Sequence, residues 1–350
     1  MSYTNGLDNP ELYFQCKIYT GTGSSHAITL DGDENMQPDF VWIKRRNSAG
    51  GHMLTDVIRG VTKTIITNET GAEQTFANGL TAFGSDGFTV GSESGFNNSS
   101  DTFVAWNWKA GTAWSNDASA TGVGSLDSSG SKSATAGFSI ISFTGTESGT
   151  PSIAHSLSST PEFIISKALE VTDNWMVFHG SFSAQDYIIL NTYGNTASAS
   201  SVWNSLPSST VINMGDNAGV NDDGDMIMYA WHGVQGFSKF GTYRGNGNVD
   251  GPFVYLGFRP AWVLFKRTAG SAANWQLWDN KRNSANAVNR SLLPDDSAAE
   301  QTDQNIDFLS NGFKIRSSAG HLNADGVTFI YAAFAEAPFV NSKGVPANAR

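Results

Sequence analysis

The segments QPDFVWIKRR (residues 37–46), TPEFIISKAL (160–169) and RPAWVLFKRT (259–268) share a proline that is followed six residues later by a lysine. Between these two positions, each segment carries a short, mainly apolar run that is rich in β-branched and aromatic residues. Such a run predicts a strand that is buried on both faces. The proline suits the first residue of a strand, because its missing N–H costs little there.

Further anchors recur in the same order around the three segments. A glycine lies 17, 16 and 15 residues before the respective proline, and an aromatic residue that ends a strand-like segment lies 70, 70 and 74 residues after it. The glycines are Gly21, Gly145 and Gly245, and the aromatic residues are Trp108, Trp231 and Phe334. Several anchors in one order indicate a threefold internal repeat of about 100 residues, which is too long for a solenoid unit or a propeller blade.

Each repeat has the sequence pattern of β-structure. Turn dipeptides such as Asp86-Gly87, Asp223-Gly224 and Asn311-Gly312 punctuate the chain. No segment sustains an apolar period of 3.6 residues over three helical turns. We therefore expect little helix and an all-β fold of three tandem antiparallel β-sandwich domains, jelly-roll-like in kind.

The spacing of the repeats also locates a linker. The three prolines are 123 and then 99 residues apart, and the excess of 24 residues falls in a stretch rich in Gly, Ser and Ala. This composition is typical of a flexible linker. The predicted organisation is an N-terminal arm (1–13), repeat 1 (14–110), a flexible linker (111–136), repeat 2 (137–235), repeat 3 (236–339) and a C-terminal tail (340–350). The arm is either a docking segment or a mobile tail.

Composition and charge exclude several classes of function. The 350 residues include 21 basic and 32 acidic side chains, a formal charge of -11, which gives no electrostatic route to nucleic acid or to an anionic membrane. No apolar run is long enough to span a bilayer, and the N-terminus lacks the basic and apolar regions of a secretory signal. Cys16 has no second cysteine to pair with, which excludes disulfides and cysteine-ligated zinc.

Catalytic and metal-binding motifs are not apparent in the sequence. The six histidines form no H-E-x-x-H pattern, and no G-x-S-x-G nucleophile elbow occurs. The glycine-rich stretches GTGSS and GNGNVDG lack the following helix and the G-K-[ST] of a phosphate loop, so tight turns are the better interpretation. Acidic loops at residues 31–34 and 222–225 have oxygen ligands suited to calcium, but Asp-Gly turns produce the same sequence. We expect no cofactor and assign no metal site.

Aromatic residues next to polar ones are the remaining candidates for a site. Trp175 and Trp275 follow Asn at matching repeat positions, and Trp278, Asp279 and Arg282 come shortly after the second of them. A tryptophan platform beside Asp, Asn and Arg is suited to a glycan or receptor, through ring stacking and hydrogen bonds to hydroxyls. Core packing of a duplicated domain places aromatic residues at equivalent positions too. Trp114 and Trp203 belong to one repeat unit alone and are therefore further candidates.

Longer stretches of the chain resemble a known group of proteins. They are YFQCKIYTGTGS (13–24), GFSKFGTYRGNGNVDGPFVYLGFRPAWVLFKR (236–267), AFAEAPF (333–339) and the end PANAR (346–350). Together with the repeats, they resemble an uncharacterised family of marine and cyanobacterial phage proteins that are often labelled tail-fibre or virion structural proteins. The resemblance covers essentially the whole chain and implies a virion component, but it carries over no catalytic residues. Because the chain lacks a heptad coiled coil, it suits a globular head or adaptor rather than a fibre shaft.

The sequence and the resemblance together predict a non-enzymatic bacteriophage virion protein on the exterior of the particle, assembled in the host cytoplasm. A tail-associated protein involved in host attachment is the first expectation. A capsid decoration protein and a polysaccharide-degrading tail enzyme are the alternatives. The expected partners are other virion proteins and further copies of the chain, as a trimer or as a single-chain pseudo-trimer. A host surface glycan is a further candidate partner, whereas nucleic acid and membrane insertion are not expected.

Overall fold

The computed structural model describes residue 4, residues 7–302 and residues 304–348. Antiparallel strands dominate this part of the chain, and its helices are short. They are a 3-10 turn at Pro10–Leu12 and four single-turn α-helices, α1 (Ser94–Asn97), α2 (Ala118–Thr121), α3 (Ala218–Asn221) and α4 (Gly320–Asn323). The predicted all-β class is confirmed.

Repeat 1 consists of a larger and a smaller sheet. Its strands are β1 (Phe14–Thr20), β2 (His26–Thr29), β3 (Phe40–Arg45), β4 (His52–Asp56), β5 (Lys63–Ile66), β6 (Gln74–Thr75), β7 (Leu80–Gly84), β8 (Gly87–Val90) and β9 (Thr102–Trp108). The larger sheet has the order β1-β9-β3-β4-β5-β6, and the smaller sheet has the order β2-β8-β7.

Repeat 2 has the same arrangement, with a hairpin added at one edge. The hairpin strands are β10 (Thr112–Asn116) and β11 (Ser128–Ser133), and the strands that follow are β12 (Phe138–Thr144), β13 (Ser152–Ala154), β14 (Phe163–Ala168), β15 (Met176–His179), β16 (Asp186–Ile189), β17 (Ala197–Ser198), β18 (Val211–Asn213) and β19 (Asp225–Trp231). The larger sheet is ordered β10-β11-β12-β19-β14-β15-β16-β17, and β13 pairs with β18.

Repeat 3 completes the series. Its strands are β20 (Ser238–Arg244), β21 (Phe253–Tyr255), β22 (Phe258–Arg267), β23 (Gln276–Asp279), β24 (Ile306–Leu309), β25 (Gly312–Ile315) and β26 (Thr328–Pro338). The larger sheet is ordered β20-β26-β22-β23 and the smaller β21-β25-β24. In all three repeats, counted without the added hairpin, the first strand pairs with the last, and the last pairs with the strand of the proline-to-lysine segment. Pro260 itself lies at an irregularity in the pairing of β22 with β26, where a missing N–H is tolerated.

The central strands of each larger sheet are buried on both faces. In β3, Phe40 and Trp42 belong to one hydrophobic cluster, whereas Val41 and Ile43 belong to another. Successive side chains of a strand point to opposite faces, so the second cluster lies between the larger and smaller sheets of repeat 1. The first cluster lies on the other face, which we call the inner face. This two-sided burial explains why the strand sequence is a continuous apolar run.

The inner faces of all three repeats pack into one core. At its centre is an apolar cavity of about 10 Å³ lined by three equivalent triplets: Phe40, Trp42 and Trp108; Phe163, Ile165 and Trp231; Trp262, Leu264 and Phe334. The strand register pairs the first and last member of each triplet directly. The repeats are therefore arranged with pseudo-threefold symmetry around a shared core. The expectation of three separate domains is corrected to three repeats that share this core.

The repeated lysines connect the repeats in cyclic order. Lys44 Nζ donates to the carbonyl oxygen of Ser297 in repeat 3 (3.0 Å), Lys167 to Thr70 in repeat 1 (3.2 Å) and Lys266 to Thr192 in repeat 2 (3.3 Å). All three lysines are buried, and this burial lowers the pKa of each to about 8. Because repeat 1 contacts repeat 3 as well as repeat 2, the three repeats form a closed ring.

The prediction of a flexible linker at residues 111–136 is wrong. Strands β10 and β11 pair with each other, and β11 pairs with β12, so most of this stretch forms an ordered hairpin at the edge of the repeat 2 sheet. Its small residues serve close packing: Ser131 and Ser133 are buried, and a Cβ added to Gly130 would overlap the backbone of Ile140. Composition alone does not separate small residues chosen for flexibility from small residues chosen for packing.

The two chain ends pack against each other. Of the predicted N-terminal arm, residues 1–3, 5 and 6 lie outside the described residues, but Leu7 is buried in the shared core. Asp8 accepts hydrogen bonds from the backbone N–H (2.8 Å) and the hydroxyl of Ser342 in the predicted tail. Arg259 also donates to the carbonyl oxygen of Asn348 (2.9 Å), and residues 349 and 350 are not described. Neither described terminal segment is free of the ring.

Candidate functional site

The two tryptophans predicted as a glycan platform lie at interfaces between repeats. Trp175 and Trp275 are almost completely buried. Trp175 Nε1 donates to the carbonyl oxygens of Ile66 (3.2 Å) and Glu69 (3.0 Å) in repeat 1, and Trp275 Nε1 donates to that of Ile189 (2.9 Å) in repeat 2. Each indole is therefore hydrogen-bonded across the interface between its own repeat and the preceding one.

The other three predicted contact residues are buried as well, and two of them, Asp279 and Arg282, form a network with repeat 1. Trp278 is fully buried. Arg282 Nε donates to Asp279 Oδ2 (2.6 Å), and the same oxygen accepts a hydrogen bond from Trp106 Nε1 (2.9 Å). Arg282 also pairs with Glu300 (3.2 Å). The structure does not support a glycan platform at any of the five residues, because their side chains are used inside the ring.

The glycine-rich stretches form turns that are held by buried asparagines. Three equivalent asparagine side chains each accept a backbone N–H at 2.8 Å: Asn97 from Thr22, Asn221 from Thr146 and Asn323 from Asn246. A Cβ added to the repeated glycine of each turn would overlap a backbone carbonyl of the facing loop. Close backbone approach thus explains the glycine anchors, in agreement with the tight-turn interpretation.

Neither acidic loop brings three carboxylates together. Lys17 pairs with Asp31 in the first loop, and Asp222 of the second loop is buried. Within the described ranges, no three His, Cys, Asp or Glu side chains come together as ligands for a metal. In the same part of the chain, no helix has the length and apolarity needed to cross a membrane.

The hairpin that repeats 1 and 3 lack carries the most distinctive surface. Its connecting loop is held to β13: the backbone N–H groups of Ser125 (2.8 Å) and Leu126 (3.1 Å) donate to the carbonyl oxygen of Ser152. Asp117 caps α2 by accepting the N–H of Ala120 (3.0 Å). Hydrogen bonds from Ser119 first and Ala120 second lower the pKa of Asp117, so this exposed side chain carries a negative charge at neutral pH.

Two neighbouring grooves are formed by the hairpin. The larger, of about 740 Å³, includes Asp117 and Asp127 and several serines, and we call it the acidic groove. The smaller, of about 200 Å³, we call the Trp114 groove; its lining residues are Trp114, Ser115, Asn116, Val123, Ala154, Ser156, Leu157, Ser209 and Thr210. The two grooves share Ser115 and Asn116.

Trp114 closes the edge of a hydrophobic cluster and also faces a groove. In the strand register it lies beside Gly130, which lies beside Ile141, so its indole passes over a residue without a side chain and packs on the repeat 2 cluster. The indole is only partly buried, whereas Trp203, the other unrepeated candidate, is 1% exposed. A partly exposed indole among hydroxyl and amide groups is suited to binding.

The fold and this site define a class: a closed ring of three β-repeats, one of which carries an additional hairpin with two grooves. Residues 9–338 match the model of a family described as Domain of unknown function (DUF7483), and the chain belongs to this family. A comparison with curated proteins finds no match.

Sequence reasoning missed the grooves but had a signal for them. The 24-residue excess between the first two repeats marked the stretch as unrepeated, and Trp114 was the aromatic residue within it. The Ser209 and Thr210 side of the groove comes from a distant loop of repeat 2, and no spacing in the sequence connects that loop to the hairpin.

Proposed function

We propose that the chain is a non-enzymatic structural protein of a bacteriophage virion, exposed on the particle, associated with the tail and involved in host attachment. The observation that carries the proposal is that different parts of the molecule form the ring and the grooves. Equivalent side chains close the three repeats into a ring, and a single unrepeated hairpin presents two grooves beside it. Such a body suits a rigid support for one recognition surface.

We propose that each of the three repeats is a β-sandwich of the jelly-roll type. Support comes from the hydrophobic clusters between the larger and smaller sheets of repeats 1 and 2. A single chain with three such repeats fits a threefold position on a particle, where it takes the place of a homotrimer. Other virion proteins and further copies of the chain are the proposed partners, and assembly in the host cytoplasm precedes its display.

Immunogold electron microscopy of intact particles tests the location, with antibody raised against the purified chain and pre-immune serum as the control. We expect label at the tail. Label spread over the head would reject the tail assignment and favour capsid decoration, the second candidate, which the compact ring also suits. Particles without label would reject both roles.

A further inference from the structure

We propose that the Trp114 groove binds a neutral saccharide, with one sugar ring stacked on the exposed part of the Trp114 indole. The inference deepens the attachment role proposed above and rests on it for its biological meaning. It depends on three features of the groove, which are its aromatic wall, its unused hydrogen-bonding groups and its charge.

The aromatic wall is held in place without a ligand. Because Trp114 is anchored over Gly130 on the repeat 2 cluster, its indole does not have to be ordered on binding. The volume of about 200 Å³ matches one or two sugar rings rather than a folded partner. The C–H face of a sugar ring is apolar, so stacking on an indole removes apolar surface of both partners from water.

The polar wall offers hydrogen bonds to sugar hydroxyls. Ser209 is exposed, and within the described residues its hydroxyl has no hydrogen-bond partner. The Asn116 amide is fixed in orientation, because Nδ2 donates to the Val123 carbonyl (2.9 Å) and Oδ1 accepts from Thr121 (2.8 Å). One amide hydrogen and one oxygen lone pair of Asn116 remain for a ligand. Hydroxyls and amides that both donate and accept are matched to sugar hydroxyls, which do the same.

The charge around the groove selects against acidic sugars. No lining residue of the Trp114 groove is charged, and the adjoining acidic groove carries Asp117 and Asp127 on its exposed surface. The nearby cation is Lys132, which donates to Ser156 Oγ (2.7 Å). A uronic acid or a sialic acid would approach two carboxylates and one lysine, so a neutral sugar is favoured.

The test is a titration of the full chain, labelled with ¹⁵N at its tryptophan indoles, with neutral trisaccharides of glucose, mannose, galactose and N-acetylglucosamine. Trigalacturonate and sialyllactose are the acidic probes. Trp114→Phe identifies the Trp114 indole signal. We expect at least one neutral probe to shift that signal with millimolar affinity, and the acidic probes to bind about tenfold more weakly or not at all.

Three groove variants and one control variant separate the groove from general effects, with binding followed by saturation-transfer NMR on the sugar because the Trp114 variants lack the indole signal. Trp114→Ala is expected to weaken binding about tenfold or more, Trp114→Phe to retain part of it, and Ser209→Ala to weaken it without changing the fold. Tyr255→Ala removes a 48% exposed aromatic residue on strand β21 of repeat 3 and should leave binding unchanged. Near-UV circular dichroism checks that each variant is folded.

The proposal is overturned if no neutral probe shifts the Trp114 signal at about 10 mM, or if an acidic probe binds more tightly than every neutral one. Binding that survives Trp114→Ala also rejects it, because the sugar then lies elsewhere. If the titration fails, the immunogold result is unaffected. If the particles carry no label, a saccharide site found on the purified chain is unaffected as well. The two proposals therefore fail separately.

Discussion

The shared core and the hairpin are built from opposite principles. Each position that lines the central cavity occurs three times, once in each repeat. Trp108, Trp231 and Phe334, for example, are equivalent residues of the three repeats. In the hairpin, Trp114 and its neighbours occur once and remain partly exposed. The comparison teaches that the aromatic residues around the central cavity recur in all three repeats, whereas the partly exposed indole of the hairpin occurs once.

The largest expected effect separates the two regions physically. Residues 137–235, expressed alone, should not fold cooperatively, because Phe163, Tyr229 and Trp231 would lose their cover from the other repeats. Deletion of residues 111–134 from the full chain should leave a cooperatively folded ring, since the shortened connection then matches the four residues between Trp231 and Gly236. Urea unfolding followed by circular dichroism measures both. A cooperative transition of the isolated repeat would contradict the shared core.

A single core substitution should have the next largest effect. Trp231 stacks on Phe138 (4.7 Å between ring centroids) and contacts Phe163 (5.9 Å) and Trp108 (6.2 Å). Trp231→Ala is expected to lower the free energy of unfolding by about 3–5 kcal/mol, because the surrounding rings cannot close the cavity. The same change at the partly exposed Trp114 should cost about 1–2 kcal/mol. Equal losses at the two positions would break the comparison.

Much of the core could be predicted from the sequence, whereas its partners could not. The proline-to-lysine segments correctly predicted strands buried on both faces, and the recurrence of Trp and Phe correctly suggested core packing as an alternative to a glycan platform. What covers the inner faces was not predictable, since the atoms that contact Lys44 or Trp275 belong to another repeat. The hairpin was misread because serine and glycine are common both in flexible linkers and in closely packed strands.

The interface between repeats 3 and 1 tests whether a charged network is as essential as the aromatic core. Asp279→Ala would leave Arg282 and Trp106 Nε1 buried without their shared acceptor, and we expect a loss of about 3 kcal/mol. Asp307→Ala is the matched control, because its partner Arg316 has a 44% exposed side chain and the pair should contribute less than about 1 kcal/mol. Similar losses for the two variants would show that the network does not hold the ring closed.

The smallest expected effect is the loss of stability at acidic pH. His179 lies at the interface of repeats 2 and 3, where it contacts Ser181 Oγ (2.8 Å), the Tyr331 carbonyl oxygen (3.2 Å) and the rings of Phe163 and Phe182. Burial lowers its pKa to about 4. Because the unfolded chain binds a proton near pH 6.5 and the folded chain does not, stability is complete above that pH and falls as the pH drops towards 4.

For His179 alone, the expected loss between pH 7 and pH 5 is about 2 kcal/mol. His155, beside the Trp114 groove, has a pKa lowered by burial to about 4 as well, so it offers a direct comparison between the ring and the hairpin side. Urea titrations of His179→Asn and His155→Asn at both pH values should each show a shallower pH dependence than the parent. An unchanged slope in His179→Asn would mean that acid does not act at this interface, whereas a change confined to His155→Asn would place the acid-sensitive contact beside the hairpin.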